Sequence, residues 1–133
     1  MELEEVQLAY DGAVRRVMSD LTGTTDLRPE VVVDFTDPGD LQYWYRPGDG
    51  RSHGSSLMLD DDEEAATVRL ADLIQDDALE EQWGAAWPIC TGHSHPAQPA
   101  LQEGRAVWVC PHSQRPLAAV GTLSGGCRGW RVG

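Results

Sequence analysis

A chain of 133 residues with 41% apolar residues has the size of one domain and can bury a core without disulfides. Its formal charge is −12, all ten basic residues are arginine, and the charge is uneven: residues 1–89 hold 21 acids against six arginines, residues 90–133 one acid against four. Such an acidic part repels phosphate backbones, which argues against nucleic acid as a partner, and its field would steer a basic protein.

Residues 3–21 predict an amphipathic helix, since Leu3, Val6, Tyr10, Ala13, Val14, Val17 and Leu21 recur at three- and four-residue steps. Gly23 is the expected stop. Residues 30–46 predict a β-hairpin, two β-rich runs around Asp37-Pro38-Gly39-Asp40. Residues 47–55 read as a Gly/Ser-rich loop carrying His53, and Ser56–Leu59 as a third short strand. A second helix is expected from about residue 61 to Trp83, with Asp60 as N-cap and Glu63 three residues on. The last third predicts a β-meander: 99–102, a turn at Glu103-Gly104, 106–110, and 117–123, followed by a flexible tail at 124–133. The fold class is therefore α+β: two helices packed on one face of a small antiparallel sheet, then a zinc-stabilised β-meander. Residues 1–89 form an acidic body and 90–123 a module packed on it.

The N-terminus Met1-Glu2-Leu3-Glu4-Glu5 is acidic and lacks an apolar h-region. No apolar run approaches the ~20 residues that span a bilayer. The expectation is a cytoplasmic protein with no membrane partner. In a reducing compartment, clustered Cys and His more often bind metal than form disulfides, and three cysteines are an odd number.

Cys90-Thr91-Gly92-His93-Ser94-His95 and Cys110-Pro111-His112 concentrate the soft and borderline ligands of the chain. Thiolate and neutral imidazole are the ligands of tetrahedral zinc, and Cys-x2-His facing a second cysteine has the format of a structural zinc knuckle. Cys90, His93 and Cys110 supply three donors, and either His95 or His112 the fourth. The competing view is two buried cysteines with exposed loop histidines. Structural zinc outweighs catalytic zinc because enough ligands are present to close the shell.

This region resembles zinc-ribbon-like tails of small uncharacterised proteins from GC-rich bacteria. The shared pattern runs Trp-Pro-x-Cys-x2-His-x-His-Pro, then Trp-x-Cys-Pro, then Gly-x-Leu, at Trp87–Pro96, Trp108–Pro111 and Gly121–Leu123. The resemblance implies a metal-stabilised tail and no particular activity. Histidine at His93 departs from a four-cysteine ribbon.

The run Asp60-Asp61-Asp62-Glu63-Glu64 lacks the alternating ligands and glycine of a calcium loop, and helix-start electrostatics account for it. The loop 48–55 matches neither a phosphate-binding loop nor a nucleophile elbow. Tyr43, Trp44 and Tyr45 are consecutive, so they occupy both faces of one strand. They pack against the helices or mark an interface. Cys127, in the tail, is expected to be a free thiol. The function favoured is a small acidic, zinc-stabilised protein-interaction module, of inhibitor, immunity or accessory type, binding a basic protein. Its candidate partner-binding residues are Tyr43, Trp44, Tyr45, Asp76, Asp77, Glu80 and Glu81. The alternative is a zinc-dependent hydrolase or nuclease with one histidine free as base.

Overall fold

The structure, a computed structural model, describes residues 2–37, 39–88 and 95–123. In chain order they form α1 (Leu3–Thr24), β1 (Glu30–Asp37), β2 (Asp40–Arg46), β3 (His53–Leu57), α2 (Glu63–Glu81), β4 (Gln98–Gln102), β5 (Arg105–Val109) and β6 (Pro116–Ala119). The fold is α+β, with antiparallel sheets β1-β2-β3 and β4-β5-β6. The expected three-stranded sheet and the expected meander are both present as antiparallel sheets, and they share one core with the helix pair. That core runs from Val6 and Tyr10 of α1 through Tyr43 and Tyr45 to Trp108 and Leu123. Within it Trp87 and Trp108 meet edge to face at 5.4 Å. Residues 124–133, with Cys127, lie outside the described residues.

The apolar spacing of α1 buries Val6, Tyr10, Ala13, Val17 and Leu21 completely. Gly23 does not end this helix. It runs on to Thr24, and the hydroxyls of Thr22, Thr24 and Thr25 donate to the carbonyls of Met18, Asp20 and Leu21. The helix closes at Thr25, whose backbone is extended and whose N–H donates to Leu21 O at 2.9 Å, so the chain leaves α1 without a left-handed glycine.

In β2 the alternation is strict: Leu41, Tyr43 and Tyr45 are buried, while Gln42 and Trp44 face outward. β3 begins at His53, three residues before the expected strand, and pairs Tyr45 with His53 and Trp44 with Gly54. The Trp44 indole covers Gly54, where an added Cβ would lie 3.2 Å from Trp44 Cδ1.

The N-cap of α2 is Asp62, whose carboxylate accepts from Glu64 N at 3.1 Å. Asp60, the expected cap, instead accepts from Asp62 N and pairs with Arg69. Glu103 and Gly104 both have positive φ, 52° and 77°. This two-residue turn sets the β4–β5 register. Arg16 joins α1 to α2 and to the second sheet: it pairs with Glu64 at 2.8 Å and donates to Val120 O at 3.1 Å. No helix of the described residues is long and apolar enough to cross a membrane.

Candidate functional site

Asp77, Glu80 and Glu81 are spaced three and four apart and therefore share one face of α2. The alternation of β2 aims two tyrosines at that face. Tyr43 Oη donates to Asp77 Oδ2 at 2.6 Å, and Tyr45 Oη donates to Glu81 Oε1. Burial, reinforced by the carboxylate each hydroxyl serves, pushes both phenols far above their ordinary value, so both remain protonated donors. His53, opposite Tyr45, places Nδ1 2.9 Å from Asp77 Oδ1. Its Nε2 lies 4.0 Å from Glu80 Oε1. His53, Asp77 and Glu80 each offer a ligand atom, and the three atoms lie within 4.8 Å of one another.

Just beyond this cluster, Trp83 occupies an unusual position. Gly84 N donates to Leu79 O at 2.8 Å and Trp83 N to Glu80 O at 3.2 Å, the bond pair of a Schellman motif. Trp83 holds its left-handed position with φ 58°, where glycine is favoured, and it is 98% exposed. An open cleft of ≈ 610 Å³ runs from Trp83 past Glu80 and Glu81 to Asp49 and Arg51. The last turn of α2 contains no basic residue, so its carbonyl ends and its acids repel one another. Slightly upstream, desolvation and the charges of Asp72 and Asp77 push the Asp76 carboxyl above its ordinary value.

Of the residues expected to contact a partner, Tyr43 and Tyr45 are 1% and 0% exposed and supply core packing, not surface area. This corrects their assignment as anchors, and the reason is the pleat: both point toward α2. Trp44 lies half-buried on the outer face, with the Arg46 guanidinium 5.8 Å from its ring centroid. Asp76 and Glu80 are exposed, whereas Asp77 and Glu81 are partly buried beneath their tyrosines. His53 and Trp83 were not singled out by sequence. His53 read as part of a Gly/Ser loop. Trp83 read as the end of an apolar helix face, although Gly84 behind it is a stop signal.

The second region is at the start and end of the meander. Cys90 and His93 lie outside the described residues. Cys110 is buried at the end of β5, and its carbonyl accepts from Gln114 N at 2.7 Å, closing the turn that carries His112. The rings of His95 and His112 have centroids 4.5 Å apart. Trp87 and Ala97, on either side of the undescribed segment, are held by Gln75 of α2, whose Nε2 donates to both carbonyls. Ala97 N also donates to Pro88 O at 2.7 Å. The fold thus brings His95 to His112 from segments that are separate in sequence.

Comparison with protein-family models, curated proteins and solved structures finds no match to this chain.

Proposed function

We propose that this chain is a zinc-clipped acidic interaction module that binds a basic protein through the C-terminal end of α2. The observation that carries this reading is Trp83. A left-handed non-glycine residue costs about 1–2 kcal/mol, and a tryptophan at 98% exposure recovers nothing by packing. Neither backbone preference nor core formation accounts for it, which leaves contact with another molecule. Tryptophan is enriched among the residues that dominate binding energy. Glu80 and Glu81, which line the same cleft as Trp83, and Asp76, further up α2, select positive charge, and the −15 balance of residues 1–89 would speed the encounter.

Zinc is the clip in this reading. Two imidazoles and a thiol, from His95, His112 and Cys110, suit a tetrahedral site, and Cys90 and His93 are the remaining candidates. The Gln75 clamp supports it by tying both flanks of the Cys90–His93 segment to α2.

Immobilised protein is used to recover a partner from the native host, in parallel with Trp83→Gly and with a triple reversal of Asp76, Glu80 and Glu81 to lysine. The expected partner is basic, its affinity falls as salt rises, and Trp83→Gly weakens it by ~30-fold or more, the scale of a hot spot. A folded Trp83→Gly protein that binds the recovered partner as tightly as wild type overturns the reading.

A further inference from the structure

We infer that His53 and Glu80 form a second metal site, for a divalent cation of the zinc class, separate from the Cys/His region of the meander. The two oxygens of the Asp77 carboxylate each face a donor group, Tyr43 Oη at 2.6 Å and His53 Nδ1 at 2.9 Å. Nδ1 therefore carries the imidazole proton, and Nε2 presents its lone pair outward. A carboxylate behind the distal ring nitrogen is the arrangement that orients metal-binding histidines and raises their basicity.

Nε2 faces Glu80 Oε1 at 4.0 Å. Two ligands bound at ~2.0–2.1 Å in tetrahedral geometry are separated by roughly 3.3 Å. The Glu80 side chain is 61% exposed, so a rotamer adjustment closes the gap without disturbing the core. Asp77, with 15% exposure and both oxygens engaged, positions the ring and stays fixed.

Electrostatics favour a cation here independently. The ion pairs made by arginine among the described residues go to Glu30, Asp49, Asp60, Glu63 and Glu64. None of these neutralises Asp77, Glu80 or Glu81. The carbonyl end of α2 adds further negative potential. A histidine–carboxylate pair selects a borderline ion such as zinc over calcium or magnesium, which prefer all-oxygen shells. Water fills the remaining positions.

The test is zinc titration of the protein as purified, read by long-range proton–nitrogen NMR of its four histidine rings. The Nε2 signal of His53 is expected to move saturably, with the proton on Nδ1 before and after. Glu80→Gln and His53→Gln are expected to lose this event while the His95 and His112 signals remain as in wild type. Asp77→Asn is expected to weaken it by roughly 10- to 100-fold, because the ring loses its anchor. The inference fails if His53 does not respond up to ~1 mM zinc, if added zinc moves only the other histidines, or if Glu80→Gln binds as tightly as wild type. None of these outcomes bears on the Trp83 surface, and a His53 that stays silent leaves a tightly held zinc in the meander untouched.

Discussion

Trp108 Nε1 donates to Asp20 Oδ2 at 2.8 Å, across 88 positions of sequence and with both side chains fully buried. Gly121 N donates to the same oxygen and Leu123 N to Oδ1, at 2.7 and 2.8 Å. One carboxylate of α1 thus organises β5 and the chain after β6. Burial pushes its pKa above the ordinary carboxylate value, against the pull of these three donors and of Arg16.

Asp20→Ala removes the acceptor from three N–H groups, two of them buried and that of Gly121 partly so. At about 1–3 kcal/mol for each orphaned donor, we expect a loss of roughly 3–5 kcal/mol in urea unfolding, among the largest of any single substitution here. Asp20→Asn keeps the shape and loses the charge. Because the folded pKa is raised, the stability tied to Asp20 is fully present below its unfolded value near 4 and is lost as pH rises through the folded value. The deficit of Asp20→Asn relative to wild type is therefore expected to be largest in acid and to shrink toward neutral pH. A deficit that grows with pH would mean that the three donors outweigh burial.

All three tyrosines resist ionisation. Burial is the leading cause for each; Asp77 and Glu81 add to it at Tyr43 and Tyr45, whereas Arg69 opposes it at Tyr10. Raised folded values again give stability that is complete below the unfolded value near 10 and declines above it. Absorbance at the tyrosinate band is expected to stay flat in the native protein past pH 10. It then rises together with loss of near-ultraviolet circular dichroism, since ionisation requires unfolding. Above pH 10 each group removes up to about 1.4 kcal/mol per pH unit. Ordinary titration of any tyrosine near pH 10 in folded protein would contradict the burial.

The elements were legible in sequence where local chemistry alone decides them. The apolar spacing of α1, the hairpin of β1 and β2, and the Glu103-Gly104 turn each follow from nearby residues. Helix ends were less so: α1 runs past Gly23 to Thr24, and Arg69 draws Asp60 away from capping. The strands of the meander were legible, but its attachment to the helices was not: Asp20 and Glu64 reach distant backbone, Glu64 Oε1 accepting from Ala106 N at 2.9 Å, and no periodicity announces that. The His53–Asp77–Glu80 cluster was illegible for the same reason. Its histidine and its acids are 24 or more residues apart and meet only through strand register and helix phase.

Trp83 makes stability and function separable. Trp83→Gly relieves the left-handed strain and removes no buried contact, so the protein is expected to gain about 1 kcal/mol. Trp83→Ala keeps the strain and should be close to neutral. Thermal unfolding of both variants checks this. If Trp83→Gly is instead less stable than wild type, the indole packs on something within the chain and its role as a contact surface weakens.

Gln75 links the core to the proposed zinc clip. It is 8% exposed, and its amide is the donor shared by the carbonyls of Trp87 and Ala97. Gln75→Leu fits the space and leaves both carbonyls without that donor, an expected cost of roughly 2–4 kcal/mol. Gln75→Glu sets a carboxylate against two carbonyl oxygens, so its folded pKa should rise. Its stability is then expected to recover as pH falls toward 4, where the protonated acid can donate once, while Gln75→Leu stays flat. Elemental analysis of wild-type protein purified without added metal should give about one zinc per chain. Cys110→Ser is expected to lose that ion outright. Gln75→Leu should retain it but surrender it faster to a chelator, because the clamp loosens before the ligands are lost. Zinc-free wild-type protein would remove the clip, whereas zinc release unchanged in Gln75→Leu would leave the clip in place and confine Gln75 to the core.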